Sequence, residues 1–440
     1  MTKVITYGTY DVLHYGHIRL LERAKALGDY LVVGITSDDY DKSRGKINNQ
    51  QSLVERIQNV KNTGLADEIV IEEYEGQKID DIKRLGIDIF TVGSDWEGKF
   101  DYLNEYCKVV YLSRTEGISS TEVRTQKRKI RLGVVGKTQY RQKIISETGY
   151  VNGIEVVGVF SSCEDETSNN TTIEVSKEYD SLLERVDAVY ILSDPEDHYI
   201  NIKTALAKGK HVICESPISM NEIDCLELHD LAEAKKLILM DAVKTAYATA
   251  FERLVLLAKS GKIGEIISVD ATCTSKREGM NAGVTPTRSS LASWGPFAML
   301  AVFQTLGTDY VKMSIASRKD ERGCDIFTKI DFTYPHAVAS VKVANGAKSE
   351  GELVISGTTG YIYVPAPWWK TDYFEIRYEE HTNNKRFFYQ LDGEGIRNEL
   401  VTFIRSIEAN RNMSNISRVV SSRISKIIED FSRYNGRVDI

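Results

Sequence analysis

Tyr7-Gly8-Thr9-Tyr10-Asp11-Val12-Leu13-His14-Tyr15-Gly16-His17 is the stretch on which the reading of this chain turns. It leaves the apolar run 3–7, which reads as a buried strand, turns through a glycine and enters a helix expected over 17–27. A helix start carries backbone N–H groups without intrahelical acceptors and the positive end of the helix dipole, so it attracts anions. His14 and His17 flank Gly16 at that point, and the glycine lets a phosphate approach the backbone. A triphosphate fits there. Transfer at a phosphorus centre needs little covalent help but much positive potential on its oxygens, which two imidazoles and a helix end supply. For one histidine alone a turn-capping role would be the plainer reading. A second element argues otherwise: in Arg114-Thr115-Glu116-Gly117-Ile118-Ser119-Ser120-Thr121-Glu122 a cation, a glycine turn and hydroxyl caps open another helix after the strand 109–112.

Outward from these two stretches, strand signals at 30–36, 68–72, 87–92 and 109–112 alternate with helix signals at 53–62 and 79–85. That alternation gives a parallel sheet with crossover helices, one complete α/β domain over residues 1–127. A second start follows at once. The basic residues 126–129 lead into Ile130-Arg131-Leu132-Gly133-Val134-Val135-Gly136, a new buried strand ending in glycine, and strands and helices alternate again through residue 245. The texture then changes to longer alternating strands at 266–272, 329–333, 337–343, 360–364 and 373–378, read as an open antiparallel sheet, with closing helices at 399–408 and 417–431. The expected organisation is α/β throughout: a Rossmann-like domain over 1–127, a second Rossmann domain of NAD(P)-binding type over 128–245, and an α+β open-sheet domain over 246–440.

Composition bounds the function. The 440 residues carry 56 Lys+Arg against 63 Asp+Glu, and residues 1–127 hold 17 and 21 of these, so neither part has the positive excess that nucleic-acid binding requires. No apolar run reaches the roughly 18 residues of a membrane span, and the N-terminus enters a strand pattern without a signal-peptide core, so a cytoplasmic protein without membrane insertion is expected. Six scattered cysteines without a CxxC pair read as reduced thiols, with no metal site.

The first domain resembles the glycerol-3-phosphate cytidylyltransferase family of the HxGH nucleotidyltransferase superfamily, through GTYDVLHYGH at 8–17, LLERAKALGDYLVVGI at 20–35, GSDWEGKFDYL at 93–103 and YLSRTEGISST at 111–121. The resemblance implies transfer of CMP from CTP to glycerol 3-phosphate, giving pyrophosphate and CDP-glycerol for teichoic-acid-like or capsular polymers, with Mg2+ accompanying the nucleotide. His14 and His17 would stabilise the α-phosphate transition state. Thr9 would hold phosphate oxygens and Tyr10 would line the nucleotide site. Lys46 would neutralise the β- and γ-phosphates, and Arg114, Thr115 and Ser119 would bind phosphates from the second helix end. Asp95 would face the cytidine and Arg56 the acceptor phosphate. Where the family has Phe, Trp and a second Asp, this chain has Tyr10, Tyr15 and Ser94. Partners would be CTP and a small polyol phosphate, in a homodimer or higher homo-oligomer.

Residues 129–440 resemble the Gfo/Idh/MocA oxidoreductase family, through 130–136, 187–199, 207–217 and 260–266. The resemblance implies NAD(P) binding near Gly136, Thr138, Ser161 and Glu215. The pattern departs from the family at each chemical position: Thr138 and Arg141 stand where glycines are expected, Ser161 where an acid binds ribose, Ser216 where the Glu-Lys-Pro motif has lysine, and Phe303 where a histidine or tyrosine follows. Lys244 is the one substitute acid, with a surface charge as its plainer reading, and His198 either caps its helix or contacts a ligand. Three functions stay open for this half: a degenerate module that builds the oligomer or binds a metabolite, an active dehydrogenase making the polyol phosphate, or a sensing and docking module.

Overall fold

Five strands carry the beginning of the chain: β1 (Lys3–Gly8), β2 (Tyr30–Thr36), β3 (Glu68–Glu72), β4 (Ile89–Gly93) and β5 (Lys108–Leu112). They lie in the order β3-β2-β1-β4-β5, every pairing parallel. Successive side chains of a strand point to opposite faces, and here both faces are covered. Val4, Leu31, Val33 and Ile35 pack with Leu21, Ala24 and Val60 of the helices Tyr15–Lys25 and Leu53–Asn62. Ile5, Tyr7, Val32 and Phe90 pack on the other face with Ile82 of helix Gln77–Leu85 and with Leu103. The strand order reverses between β1 and β4, so the crevice of this sheet opens at their carboxyl ends. Continuing the register Thr6↔Thr91 sets Gly8 level with Gly93 at that edge.

This computed structural model describes the chain except for residues 14, 44–48, 50, 75, 114–128, 137–138, 162–172, 277–288, 390 and 434–437, with backbone alone at 42, 43, 139 and 432. It divides into two compact units, Met1–Lys129 and Ile130–Ile440.

The second unit begins with another parallel sheet, of β6 (Ile130–Val135), β7 (Ile154–Phe160), β8 (Glu174–Ser176), β9 (Ala188–Ile191), β10 (His211–Cys214) and β11 (Leu239–Asp241), in the order β11-β10-β9-β6-β7-β8. This is the doubly wound Rossmann arrangement, with its crevice between the carboxyl ends of β6 and β9. Nine strands follow in one sheet, β12 (Ile266–Thr274), β13 (Lys312–Lys319), β14 (Asp325–Thr333), β15 (Val338–Ala344), β16 (Leu353–Gly357), β17 (Gly360–Val364), β18 (Tyr373–Tyr378), β19 (Lys385–Phe388) and β20 (Val438–Asp439), ordered β19-β18-β17-β16-β12-β15-β14-β13-β20.

That sheet is mixed, which corrects the antiparallel expectation: β12 pairs parallel with β15, and β13 with β20. The parallel pair arises because helix Ser290–Leu306 and the β13–β14 hairpin intervene, and that helix packs across β12, β14 and β15. Helix Ile396–Glu408 returns to the Rossmann sheet, where Tyr190 donates to Glu399 at 2.7 Å and Arg397 pairs with Glu147 at 2.6 Å. Among the described residues no helix is long and apolar enough to cross a membrane.

Candidate functional site

The loop after β1 is held in a conformation that its residues do not favour. Tyr10 (φ +51°) and Val12 (φ +48°) are both left-handed, and neither is glycine. The Tyr10 ring folds back over Gly8, where an added Cβ would sit 3.0 Å from it and force the ring to shift. Contacts from residues 51–56 over-determine the loop. Gln51 Oε1 accepts from Val12 N at 2.9 Å, and the buried Asp11 carboxylate accepts from Gln51 N at 3.0 Å. Arg56, fully buried, donates through Nη1 to Thr9 O at 2.6 Å and Thr36 O at 2.8 Å, through Nε to Gln51 O, and through Nη2 to Asp38 Oδ1 at 2.5 Å. Its helix starts at a capping box made by Ser52 and Glu55.

The outcome of this bracing is the position of His17. It stands in the first turn of helix Tyr15–Lys25, edge-on to the Tyr10 ring at a centroid distance of 5.5 Å. No acidic side chain occupies that first turn, so the positive helix end is not neutralised by its own residues. Thr9 Oγ1 donates to Asp41 at 3.1 Å, and the exposed Asp95 lies on the turn Ser94–Trp96 directly after β4. Thr9, Tyr10, His17 and Asp95 therefore share the carboxyl edge at the switch point. His14, Lys46, Arg114, Thr115 and Ser119 lie outside the described residues.

Arg56 departs from its expected place. Its guanidinium meets three backbone carbonyls and a carboxylate of its own domain, and so braces the β1 loop. Asp11, Asp38 and Gln51, which complete this brace, were not singled out by the sequence. The four acids at 38–41 and 11 near the loop are its only local signal.

Residues 5–126 match the cytidylyltransferase-like family. The glycerol-3-phosphate cytidylyltransferase of Bacillus spizizenii is 49% identical over 124 residues, which cover 28% of this chain and 95% of that protein. The Staphylococcus aureus enzyme of the same name is 44% identical over 126 residues, 29% of this chain and 95% of that protein. The chain belongs to the cytidylyltransferase-like family. This cytidylyltransferase-like protein continues beyond those relatives: residues 130–242 match the oxidoreductase family with an NAD-binding Rossmann fold. A 3-ketoreductase from Actinomadura kijaniata, solved with NADP and TDP-benzene, superposes with a TM-score of 0.63 at 20% identity, over 71% of this chain and 99% of that one. A UDP-N-acetylglucosamine 3-dehydrogenase from Acidithiobacillus ferrooxidans gives 0.58 at 15%, over 69% and 96%. At such identities these two show the fold of the second unit.

Fit of a dinucleotide to that unit is mixed. Gly136 (φ +118°) presses on the backbone just past β9, where a Cβ would lie 2.5 Å from the Leu192 carbonyl carbon, so only glycine fits at the end of β6. Thr138 lies outside the described residues. Ser161 follows β7 with a hydroxyl in place of the ribose-binding carboxylate, and Ser216 stands after β10 where the family's lysine would be. Phe303 is buried edge-on to Phe332 at 5.8 Å, a packing role. His198 is buried with its ring nitrogens 2.7 Å from Pro217 O and 2.9 Å from Ser193 O, pinning the loops after β9 and β10 together.

Lys244 is not a surface charge. It sits three residues past β11, largely buried, with Nζ 2.8 Å from the Tyr140 hydroxyl and 2.5 Å from Glu394, and burial lowers its pKa against the pull of Glu394. Glu215, half-buried, follows β10 directly. Deeper in, Glu399 has no exposed surface, and burial pushes its carboxyl up to about 8; its Oε2 has no hydrogen-bond partner among the described residues. Between the ordinary carboxylate range and pH 8 the unfolded chain is ionised here while the folded one keeps its proton, so stability falls as pH rises, by up to about 1.4 kcal/mol per unit. Asp241, raised to about 6 by burial, adds the same sign below that value. Melting of the full chain between pH 6.5 and 8 should therefore show a second-unit transition that drops with pH, and Glu399→Gln should flatten it. An unchanged slope in the variant would remove Glu399 as its source.

Proposed function

We propose that the first unit transfers a cytidylyl group from CTP to glycerol 3-phosphate. An oxygen of the acceptor's phosphate attacks the α-phosphorus, the bond from that phosphorus to the bridging oxygen of the β-phosphate breaks, and CDP-glycerol and pyrophosphate result. The observation that carries this reading is the 49% identity to a cytidylyltransferase of that name across nearly its whole length, in a domain whose braced β1 loop sets His17 at a helix end. His17, with His14, would stabilise charge on the α-phosphate; Lys46 and Arg114 would hold the other phosphates, Thr115 and Ser119 adding donors. The acceptor phosphate is already anionic near neutral pH, so no dedicated base is needed. Mg2+ would arrive as the counter-ion of the triphosphate rather than sit in a cage of protein ligands. CDP-glycerol is an activated donor, so a polymer-building transferase would consume it.

The test is pyrophosphate release by the full chain with CTP and glycerol 3-phosphate, set against glycerol 2-phosphate as acceptor and ATP as donor. The expected result is a preference of at least about 100-fold, some 2.7 kcal/mol in transition-state binding, for CTP over ATP and for the 3-phosphate over its isomer. Equal rates with ATP, or no release with any polyol phosphate, would overturn the assignment.

A further inference from the structure

We infer that Lys143, Lys244 and Lys370 form a binding site for a phosphomonoester at the carboxyl edge of the six-stranded sheet, and that the Glu394 carboxylate occupies it as an internal counter-ion. Three ammonium groups converge on this one side chain: Lys143 at 2.6 Å and Lys370 at 2.9 Å from Oε1, and Lys244 at 2.5 Å from Oε2. They come from three distant parts of the unit, the helix after β6, the turn after β11 and the turn Trp368–Lys370 before β18. The Tyr140 hydroxyl, 2.8 Å from Lys244 Nζ, adds a hydroxyl to the same cluster.

Charge does not balance within the cluster. Glu147 is taken by Arg397 at 2.6 Å, and Glu399 holds its proton at neutral pH. Among the described residues, three lysines are then set against the one carboxylate that bonds them, that of Glu394, leaving a positive excess. Replacing the Glu394 carboxylate by a phosphate dianion offsets more of the lysines' charge and offers several acceptor oxygens where the carboxylate offers two.

Glu394 is also held by a backbone that disfavours it. Gly393 (φ +59°), Glu394 (φ +56°) and Gly395 (φ +90°) are three consecutive left-handed residues, and Glu394 alone among them has a side chain to strain. The turn is pressed against Lys244, whose carbonyl oxygen would lie 2.7 Å from a Cβ on Gly395. Burial alone would raise the Glu394 carboxyl, but hydrogen bonds from the three lysines hold it near 2, so it stays ionised and competes with an incoming anion at every working pH. Release of the turn would relieve strain as the ligand enters.

Calorimetric titration of the full chain without CTP tests this, with inorganic phosphate and glycerol 3-phosphate as probes, glycerol as the uncharged control and NADPH as a separate arm. The expected result is binding of both phosphates that tightens about tenfold in Glu394→Gln and weakens at least tenfold in Lys143→Ala and in Lys370→Ala, while CTP-dependent pyrophosphate release stays at its wild-type rate. Both lysines are partly exposed, so these variants should fold even if Lys244→Ala does not. Phosphate affinities that are the same in all variants would overturn the site. Loss of NADPH binding alone in the lysine variants would overturn the monoester assignment in favour of a dinucleotide's pyrophosphate. Because the readout is binding by second-unit variants, failure of the first unit to release pyrophosphate would leave this result standing.

Discussion

His17→Ala should reduce CTP-dependent pyrophosphate release by about 100- to 1000-fold, with the melting of the first unit nearly unchanged. The magnitude is that of one lost donor to a transition-state oxyanion. His17 is only half-buried, and it meets the Tyr10 ring edge-on rather than stacked, so modest packing is lost with it. The braces of the β1 loop, made by Gln51, Asp11 and Arg56, do not pass through the imidazole, so the loop survives its removal. Steady-state kinetics would show the loss in kcat, with the KM for CTP changing far less, because the interaction is made as charge develops on the α-phosphate. His17→Asn, which keeps a neutral donor, should recover part of the rate. A variant within threefold of wild type would move the chemistry away from this helix end, and with it the proposed reaction.

How far the sequence discloses such a protein depends on what each residue faces. Strands β1, β2 and β4 are apolar on both faces because helices cover both, so they stand out as continuous runs. Strand β13 was not legible: its inward positions are Met313, Ile315 and Ser317, between exposed lysines, serine and arginine, and the serine breaks the alternation. Helix Ser290–Leu306 was hidden by Gly295 and Pro296 in its interior, residues that argue against a helix until packing against the nine-stranded sheet overrides them. The loop of the first site is legible from Gly8 to His17 because its elements are contiguous. Lys244 and Glu394 are 150 residues apart, and nothing local in either stretch announces that three lysines meet one carboxylate. The burial of Arg56 is hidden for a related reason. On a helix that also carries Glu55 and Lys61 it looks like one more solvated charge, and only the fold shows its side turned inward.

That inward turn makes Arg56 the residue whose loss should cost the most stability in the first unit. Arg56→Ala strips donors from Thr9 O, Thr36 O and Gln51 O and leaves Asp38 without its guanidinium, in a place where Arg56 itself has no exposed surface. Asp38 is itself partly exposed, so the ion pair adds little, but each buried carbonyl left without its donor costs about 1–3 kcal/mol, about 3–5 kcal/mol in all. For a domain of this size that lowers the melting temperature by about 10 °C or more. Lysine would not restore it, since a single ammonium cannot span acceptors on β2, the β1 loop and residue 51 as the planar fork does. Activity should fall together with stability, because Tyr10 and Val12 hold left-handed conformations only while the brace is in place. The competing role, direct contact with the acceptor phosphate, predicts the opposite division: an unshifted melting transition, an unchanged KM for CTP, and a KM for glycerol 3-phosphate raised at least tenfold. Calorimetry of the full chain beside two-substrate kinetics separates the two, and the second pattern would return Arg56 to the acceptor site.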